Sequence, residues 1–315
     1  MEKMSDNYIQ TQSLTKIYKL KSGEQIPALN QVDLGIKEHE IFGIVGPNGA
    51  GKTTLIKILC TLLQPTSGKV LIDGLDVKEN IYAIRRKVGV MFDSGIAYPD
   101  LSGYNNLKFW AKMYRIENYD EQISNILKEL DLIKWKDEIV ASYSLGMMLK
   151  VAIGRLILTN PAIWILDEPT RGMDIHSLLK MVQLLKMRKK TNTIIVTSHD
   201  LTIMDKLCDR IAIIDRGTIL AVDSPENLKI LQGDQVAIDI GIMENVVNLE
   251  HELQSENLIS QINATNLGFS IILTDKKLYP KLFSILKKYP ITSINEKKHS
   301  LEEMFIKITK KVERQ

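Results

Sequence analysis

From Tyr8 to about Val222, apolar residues along the chain follow two alternating rhythms. Short runs rich in β-branched residues occur at Ile41–Val45 and at 70–72, 88–92, 163–166, 194–197 and 211–214. Between them the apolar positions are spaced by three or four residues. The runs predict strands and the spaced positions predict helices, because side chains repeat every 2 residues in a strand and every 3.6 in a helix. Several runs are apolar throughout, the pattern of strands buried on both faces of a largely parallel sheet. An α/β core is therefore expected. Between about residues 93 and 160 the strand signal stops. Leu107, Trp110, Ala111 and Tyr114, then Ile123, Ile126, Leu127 and Leu130, keep helical spacing and predict a helical insert within that core.

Beyond Leu231-Gln-Gly-Asp234 the rhythm restarts as strand (Val236–Ile242), helix (244–256), strand (259–264), turn (266–268), strand (269–274), helix (278–288) and strand (291–295). This is the split βαβ order of a ferredoxin-like α+β domain, and a last helix over 301–308 is expected after it. The chain thus divides into residues 1–230, holding the insert, and an accessory domain at 235–315. The lysine pairs at 276–277, 287–288, 297–298 and 310–311 fit the solvated face of a small domain, or a face toward acidic lipid.

Composition narrows the setting. The chain has 315 residues, of which 44% are apolar, enough for a large domain and a small one. The 41 basic and 38 acidic residues leave a formal charge of +3, too even for the positive field that a nucleic-acid partner needs. Cys60 and Cys208 stand in no metal-ligand or CxxC spacing and read as reduced thiols. Residues 1–12 lack the basic and then apolar order of an export signal. No run is long and apolar enough for a membrane span, since 151–166 is broken by Arg155, Asn160 and Pro161.

The chemistry concentrates at the ends of the predicted strands. Gly46-Pro47-Asn48-Gly49-Ala50-Gly51-Lys52-Thr53 follows the strand Ile41–Val45 and precedes an apolar helical run. Glycines let backbone N–H groups close around phosphate oxygens, and the helix start adds its positive dipole end. Lys52 then reaches the β and γ phosphates and the Thr53 hydroxyl a magnesium ion. Asp167 and Glu168 end the apolar run 163–166. Asp167 can help hold magnesium, and Glu168 can orient and deprotonate water for in-line attack on the γ phosphate. His199 follows the run 194–197, at the strand end where open α/β sheets present ligand-contacting groups, and is placed to contact the γ phosphate.

In this order the motifs resemble the nucleotide-binding subunits of ATP-binding cassette transporters, over residues from about Tyr8 to Pro225. The resemblance implies a P-loop NTPase cassette binding ATP and Mg2+ as a homodimer or a paired ATPase subunit. It also implies a separately encoded integral membrane permease, and a cytoplasmic place on the inner face of the membrane. Residue by residue, it implies that Tyr18 stacks on adenine and that Thr54 joins residues 46–53 in holding the nucleotide. Tyr143-Ser144-Leu145-Gly146-Met147 looks like the family signature, with Ser144 and Gly146 as its matching members, aimed at the γ phosphate of the opposing subunit. Asp174 matches the loop joining the two sites. The helical-insert start at 99–107 and Leu301-Glu-Glu-Met-Phe305 resemble drug, antibiotic-peptide and ion export ATPases.

Two positions depart from the family pattern. Leu145 stands where the signature has glycine, and Asp93 stands where a glutamine touches magnesium and the attacking water. Asp93 is accordingly a candidate metal contact or a cap. Rival readings are a non-transport cassette ATPase of translation or DNA repair, and a P-loop GTPase or nucleotide kinase. A single phosphate loop with a short insert disfavours the former. The signature and the lack of an Asn-Lys-x-Asp motif disfavour the latter.

Overall fold

The computed structural model describes residues 7–92, 97–230, 236–243, 247–255, 258–265, 268–297 and 300–313. The chain falls into two compact units, Met1–Ser224 and Pro225–Gln315.

The first unit opens with β1 (Ile9–Lys19) and β2 (Gln25–Ile36), a long antiparallel pair. Then come β3 (Ile41–Val45), α1 (Lys52–Leu59), β4 (Ser67–Ile72), the short β5 (Leu75–Asp76), α2 (Ile81–Lys87) and β6 (Val88–Met91). The insert follows as α3 (Gly103–Met113), α4 (Tyr119–Glu129) and α5 (Leu145–Thr159). The unit closes with β7 (Ile163–Asp167), α6 (Ile175–Arg188), β8 (Thr193–Thr197), α7 (Leu201–Leu207), β9 (Arg210–Asp215) and β10 (Thr218–Asp223). Two sheets form, ordered β2-β1-β4-β5 and β10-β9-β3-β8-β7-β6. Parallel pairing runs from β9 to β6, and β10 adds an antiparallel edge.

The apolar runs did form the parallel sheet, since β3, β7 and β8 are buried along their whole length. The run at 70–72 is different. It lies in β4 and pairs antiparallel with β1, Ile9 facing Ile72 and Thr11 facing Val70. The reading by apolar runs omitted β1 and β2 because they alternate. In β2, Val32, Leu34 and Ile36 are buried while Gln31 and Asp33 are exposed, as in a sheet with one solvated face. Side chains of α1, notably Leu55, Ile56, Ile58 and Leu59, lie in one core with residues of both sheets.

The insert is stitched by caps and one close approach. Ser102 and Ser144 accept from the amides of Asn105 and Met147, satisfying first-turn donors of α3 and α5. Gly154 sits where an added Cβ would meet Ile126, Leu130 and Leu107 at 3.2–3.3 Å, so α5 packs tightly on α4 and α3. Asn160 ends α5 in the left-handed conformation, and Pro161 follows it.

The second unit contains α8 (Pro225–Ile230), β11 (Val236–Ile242), α9 (Val247–Ser255), β12 (Ile259–Thr265), β13 (Gly268–Leu273), α10 (Tyr279–Leu286), β14 (Ile291–Lys297) and α11 (Leu301–Glu313). Its sheet is ordered β12-β13-β11-β14, every neighbouring pair antiparallel. Ile238, Ile240, Phe269, Ile271 and Leu273 form a core with Leu249 and Leu253 of α9 and Leu282, Ile285 and Leu286 of α10. Among the described residues, no helix is long and apolar enough to cross a membrane.

Candidate functional site

The cleft is assembled at the carboxyl ends of the central parallel strands. β3 runs parallel to β8, with Ile44 beside Thr197, and β8 runs parallel to β7, with Thr197 beside Asp167. Their carboxyl ends therefore bring the loop after Val45, the acids after Leu166 and the segment after Thr197 together, as expected for open α/β sheets.

The loop from Gly46 to Gly51 needs its glycines. Gly51 has φ +110°, and a Cβ there would lie 2.5 Å from the Ala28 carbonyl oxygen; one at Gly46 would lie 2.1 Å from that of Ile214. The loop leads straight into α1, whose first amides face outward without helical partners. Lys52 bends back, donating from Nζ to the carbonyl oxygens of Gly46 (2.7 Å) and Pro47 (3.0 Å). Burial pulls its ammonium below the usual lysine value, while the charges of Glu168 and Asp167 oppose that shift.

Asp167 is buried and accepts a hydrogen bond from the Thr197 hydroxyl. Glu168 stands at φ +53°, a left-handed conformation that costs a non-glycine residue about 1–2 kcal/mol. Its amide donates to the Thr197 carbonyl at 3.1 Å, and this kink releases the side chain from the sheet toward the cleft. Both carboxylate oxygens lie 3.0 Å from His199 Nδ1, and Ser198 Oγ donates to Oε2 at 3.4 Å. The His199 side chain is 72% exposed and that of Glu168 only 16%.

Residues 46–54, Asp167, Glu168 and His199 line one cleft of about 650 Å³, together with Ala28 and Arg171. Tyr18 stands beside it, its hydroxyl 3.4 Å from Thr54 Oγ1. Ser144 and Gly146 do not line it. They begin α5 elsewhere on the first unit, where Ser144 caps the helix, so the amides of Leu145 and Gly146 have no partner within it. Leu145 is 39% exposed and packs against Gly172. Asp174 caps α6, accepting from the Ser177 amide at 2.9 Å, which holds its carboxyl below the usual range. Asp93 lies outside the described residues.

Sequence reasoning passed over Thr197, Ser198 and Arg171. A threonine ending a fully apolar strand beside an acid-ending strand was the available signal for Thr197; Arg171 and Ser198 carried none. Both cysteines are free and buried, the Cys60 thiol pushed up to about 12 by burial, so neither is a nucleophile for this cleft. The donors suit a hard cation: Thr53 and Asp167 offer oxygen atoms on one cleft. Among the described residues no group of three or more His, Cys, Asp or Glu could hold a metal by itself. Such a set fits Mg2+, which binds through one or two protein oxygens plus phosphates and water.

A glycine-built anion cradle, a lysine within it and a carboxylate–histidine pair across it define the class, a phosphate-loop ATPase. The family model described as "ABC transporter" matches residues 29–171. The chain is 32% identical over 306 residues to the uncharacterized ABC transporter ATP-binding protein YcbN of Bacillus subtilis (strain 168), covering 95% of this chain and 96% of that protein. It is 29% identical to the fluoroquinolones export ATP-binding protein MT2762 of Mycobacterium tuberculosis (strain CDC 1551 / Oshkosh), covering 90% and 88%. The solved dimeric structure of a post-hydrolysis state of the ATP-binding cassette MJ0796, bound to ADP and Pi, aligns with a TM-score of 0.63 at 29% identity, covering 69% of this chain and 98% of that one. The chain belongs to the ABC transporter family as one of its ATP-binding proteins, and its α/β cassette is an ATPase.

Proposed function

We propose that this ATPase powers export through a separately encoded membrane permease, acting as a dimer on the cytoplasmic face with ATP and Mg2+ at its interface. The convergence of Lys52, Asp167, Glu168 and His199 on the cleft behind the phosphate loop carries this reading. The export-named relative and the dimeric ADP-bound cassette support its direction and its stoichiometry.

In this reading the loop amides and the start of α1 take the triphosphate, and Lys52 exchanges the carbonyls of Gly46 and Pro47 for β- and γ-phosphate oxygens. Thr53 and Asp167 would hold Mg2+, which would supply positive charge against the charge developing on the transferred phosphate. Glu168 accepts the proton of the attacking water. His199, bonded to Glu168 through Nδ1, keeps that carboxylate aimed and leaves Nε2 for the γ phosphate. Tyr18 stacks on adenine. The first amides of α5, with Ser144 and Gly146, receive the γ phosphate held by the partner. Leu145 is compatible with that role if its backbone N–H, rather than its side chain, faces the nucleotide. Asp93 is proposed as a further contact to the metal.

The cassette is proposed at residues 1–230 and the accessory domain at 235–315, with α8 (Pro225–Ile230) grouping with the second unit; a ferredoxin-like fold for that domain is supported by the sheet order β12-β13-β11-β14. Replacing Lys52 with alanine tests the reading. Hydrolysis is expected to fall at least about a hundredfold with the fold intact, whereas hydrolysis at the parent rate would remove the site.

A further inference from the structure

Tyr18 does not stand alone beside the cleft. The ammonium of Lys16 lies 5.4 Å from the centroid of its ring, inside the range of about 6 Å over which a cation is attracted to an aromatic face. That ammonium is itself anchored, donating to the Gln64 carbonyl at 2.9 Å. The same stretch of chain after α1 grips β1 twice more: Ile17 N donates to Thr66 Oγ1 at 3.0 Å, and Thr66 N donates to the Thr15 carbonyl at 2.9 Å. At its far end the ring is tied by the contact between its hydroxyl and Thr54 Oγ1 in the first turn of α1. Tyr18 as a whole is nevertheless 37% exposed. An aromatic side chain is thus held from one face and from its tip, and still shows surface to solvent.

We propose that Lys16 is a positioning residue for the nucleobase, setting the strength with which Tyr18 stacks on adenine; this rests on the assignment of Tyr18 as the stacking residue. Two physical effects act together. The anchored cation fixes the ring in one orientation, so less side-chain freedom is lost when a base settles on it. It also draws π density toward itself, leaving the open face less repulsive to the π cloud of a purine. Lys16 therefore acts on binding of the base, and the phosphate chemistry at Glu168 proceeds without it.

The test uses the full chain, with ATP and inorganic tripolyphosphate as two probes. Replacing Lys16 with methionine is expected to weaken ATP binding and raise KM about two- to fivefold, the worth of an exposed cation–π contact. The kcat and the affinity for tripolyphosphate should stay at parent values. Lys16→Arg, which keeps a cation over the ring, should bind ATP like the parent and guards against a folding artefact. In a Tyr18→Ala background, Lys16→Met should add nothing. Equal weakening toward ATP and tripolyphosphate would show attraction to phosphate instead and overturn the proposal. So would parent-like ATP binding by Lys16→Met while Tyr18→Ala binds poorly. If Tyr18→Ala itself binds ATP like the parent, the stacking assignment falls and this inference with it.

Discussion

Both units pair charges at their surfaces, as Lys180 with Asp131 does in the first, but they differ in what they draw inward. In the first, ionisable groups are drawn inward to a cleft: Asp167 is buried, Glu168 is nearly so on a strained backbone, and Lys52 is satisfied only by carbonyls that phosphates can replace. In the second, charges pair at the surface, Lys288 just after α10 with Glu252 of α9, and Tyr289 with the same carboxylate at 2.7 Å, over a closed apolar core. The pairing holds the Glu252 carboxyl below its usual range and the Tyr289 hydroxyl above its own. A region built for chemistry holds strain and replaceable hydrogen bonds, while a region built for packing minimises both.

Substitutions can break or sharpen that contrast. The largest expected effect in the first unit is at Gly51. Valine there would need φ +110° and would drive its Cβ into the Ala28 carbonyl, so a loss of several kcal/mol in stability and of nucleotide binding is expected in denaturant titration and ATP binding. Retained binding and stability would mean that the loop is not constrained as drawn. Ser144→Ala removes the cap of α5, and thermal melts should show a cost of about 1 kcal/mol. Its effect on hydrolysis should exceed that small cost, because the same helix start is proposed to meet the partner's ATP; a melt shift without any rate change would reduce Ser144 to a cap. The smallest effect is expected at Lys288→Gln, which leaves a solvent-exposed pair unmade and should alter neither melting nor hydrolysis measurably. A marked fall in hydrolysis there would show that the second unit acts on the cleft.

How much was legible beforehand follows the same division. Fully apolar strands and a glycine-rich loop leave strong local signals, so β3, β7, β8 and residues 46–53 were readable, as were the strands and helices of the second unit that follow α8, which itself was not foreseen. The antiparallel β1 and β2 were missed because alternation with polar residues is a weaker pattern, further blurred by register shifts within β1, as between Thr11 and Leu14. The left-handed turn at Glu168 left no trace either, because glutamate gives no hint of positive φ. Its pairing with His199 depends on two strands being neighbours, which sequence spacing across 31 residues does not encode.

The central claim is that Glu168 is the base of an ATP site completed across a dimer, by a second copy of the chain or a paired ATPase subunit. The most direct measurement pairs steady-state hydrolysis with size-exclusion chromatography for Glu168→Gln in magnesium and ATP. Glutamine keeps the shape and hydrogen bonding of the side chain but cannot take the proton of water. Hydrolysis should drop about a hundred- to ten-thousandfold, and the variant should elute as an ATP-dependent dimer with ATP still bound. A monomer at saturating ATP would contradict completion by a second copy, and hydrolysis at the parent rate would contradict the account.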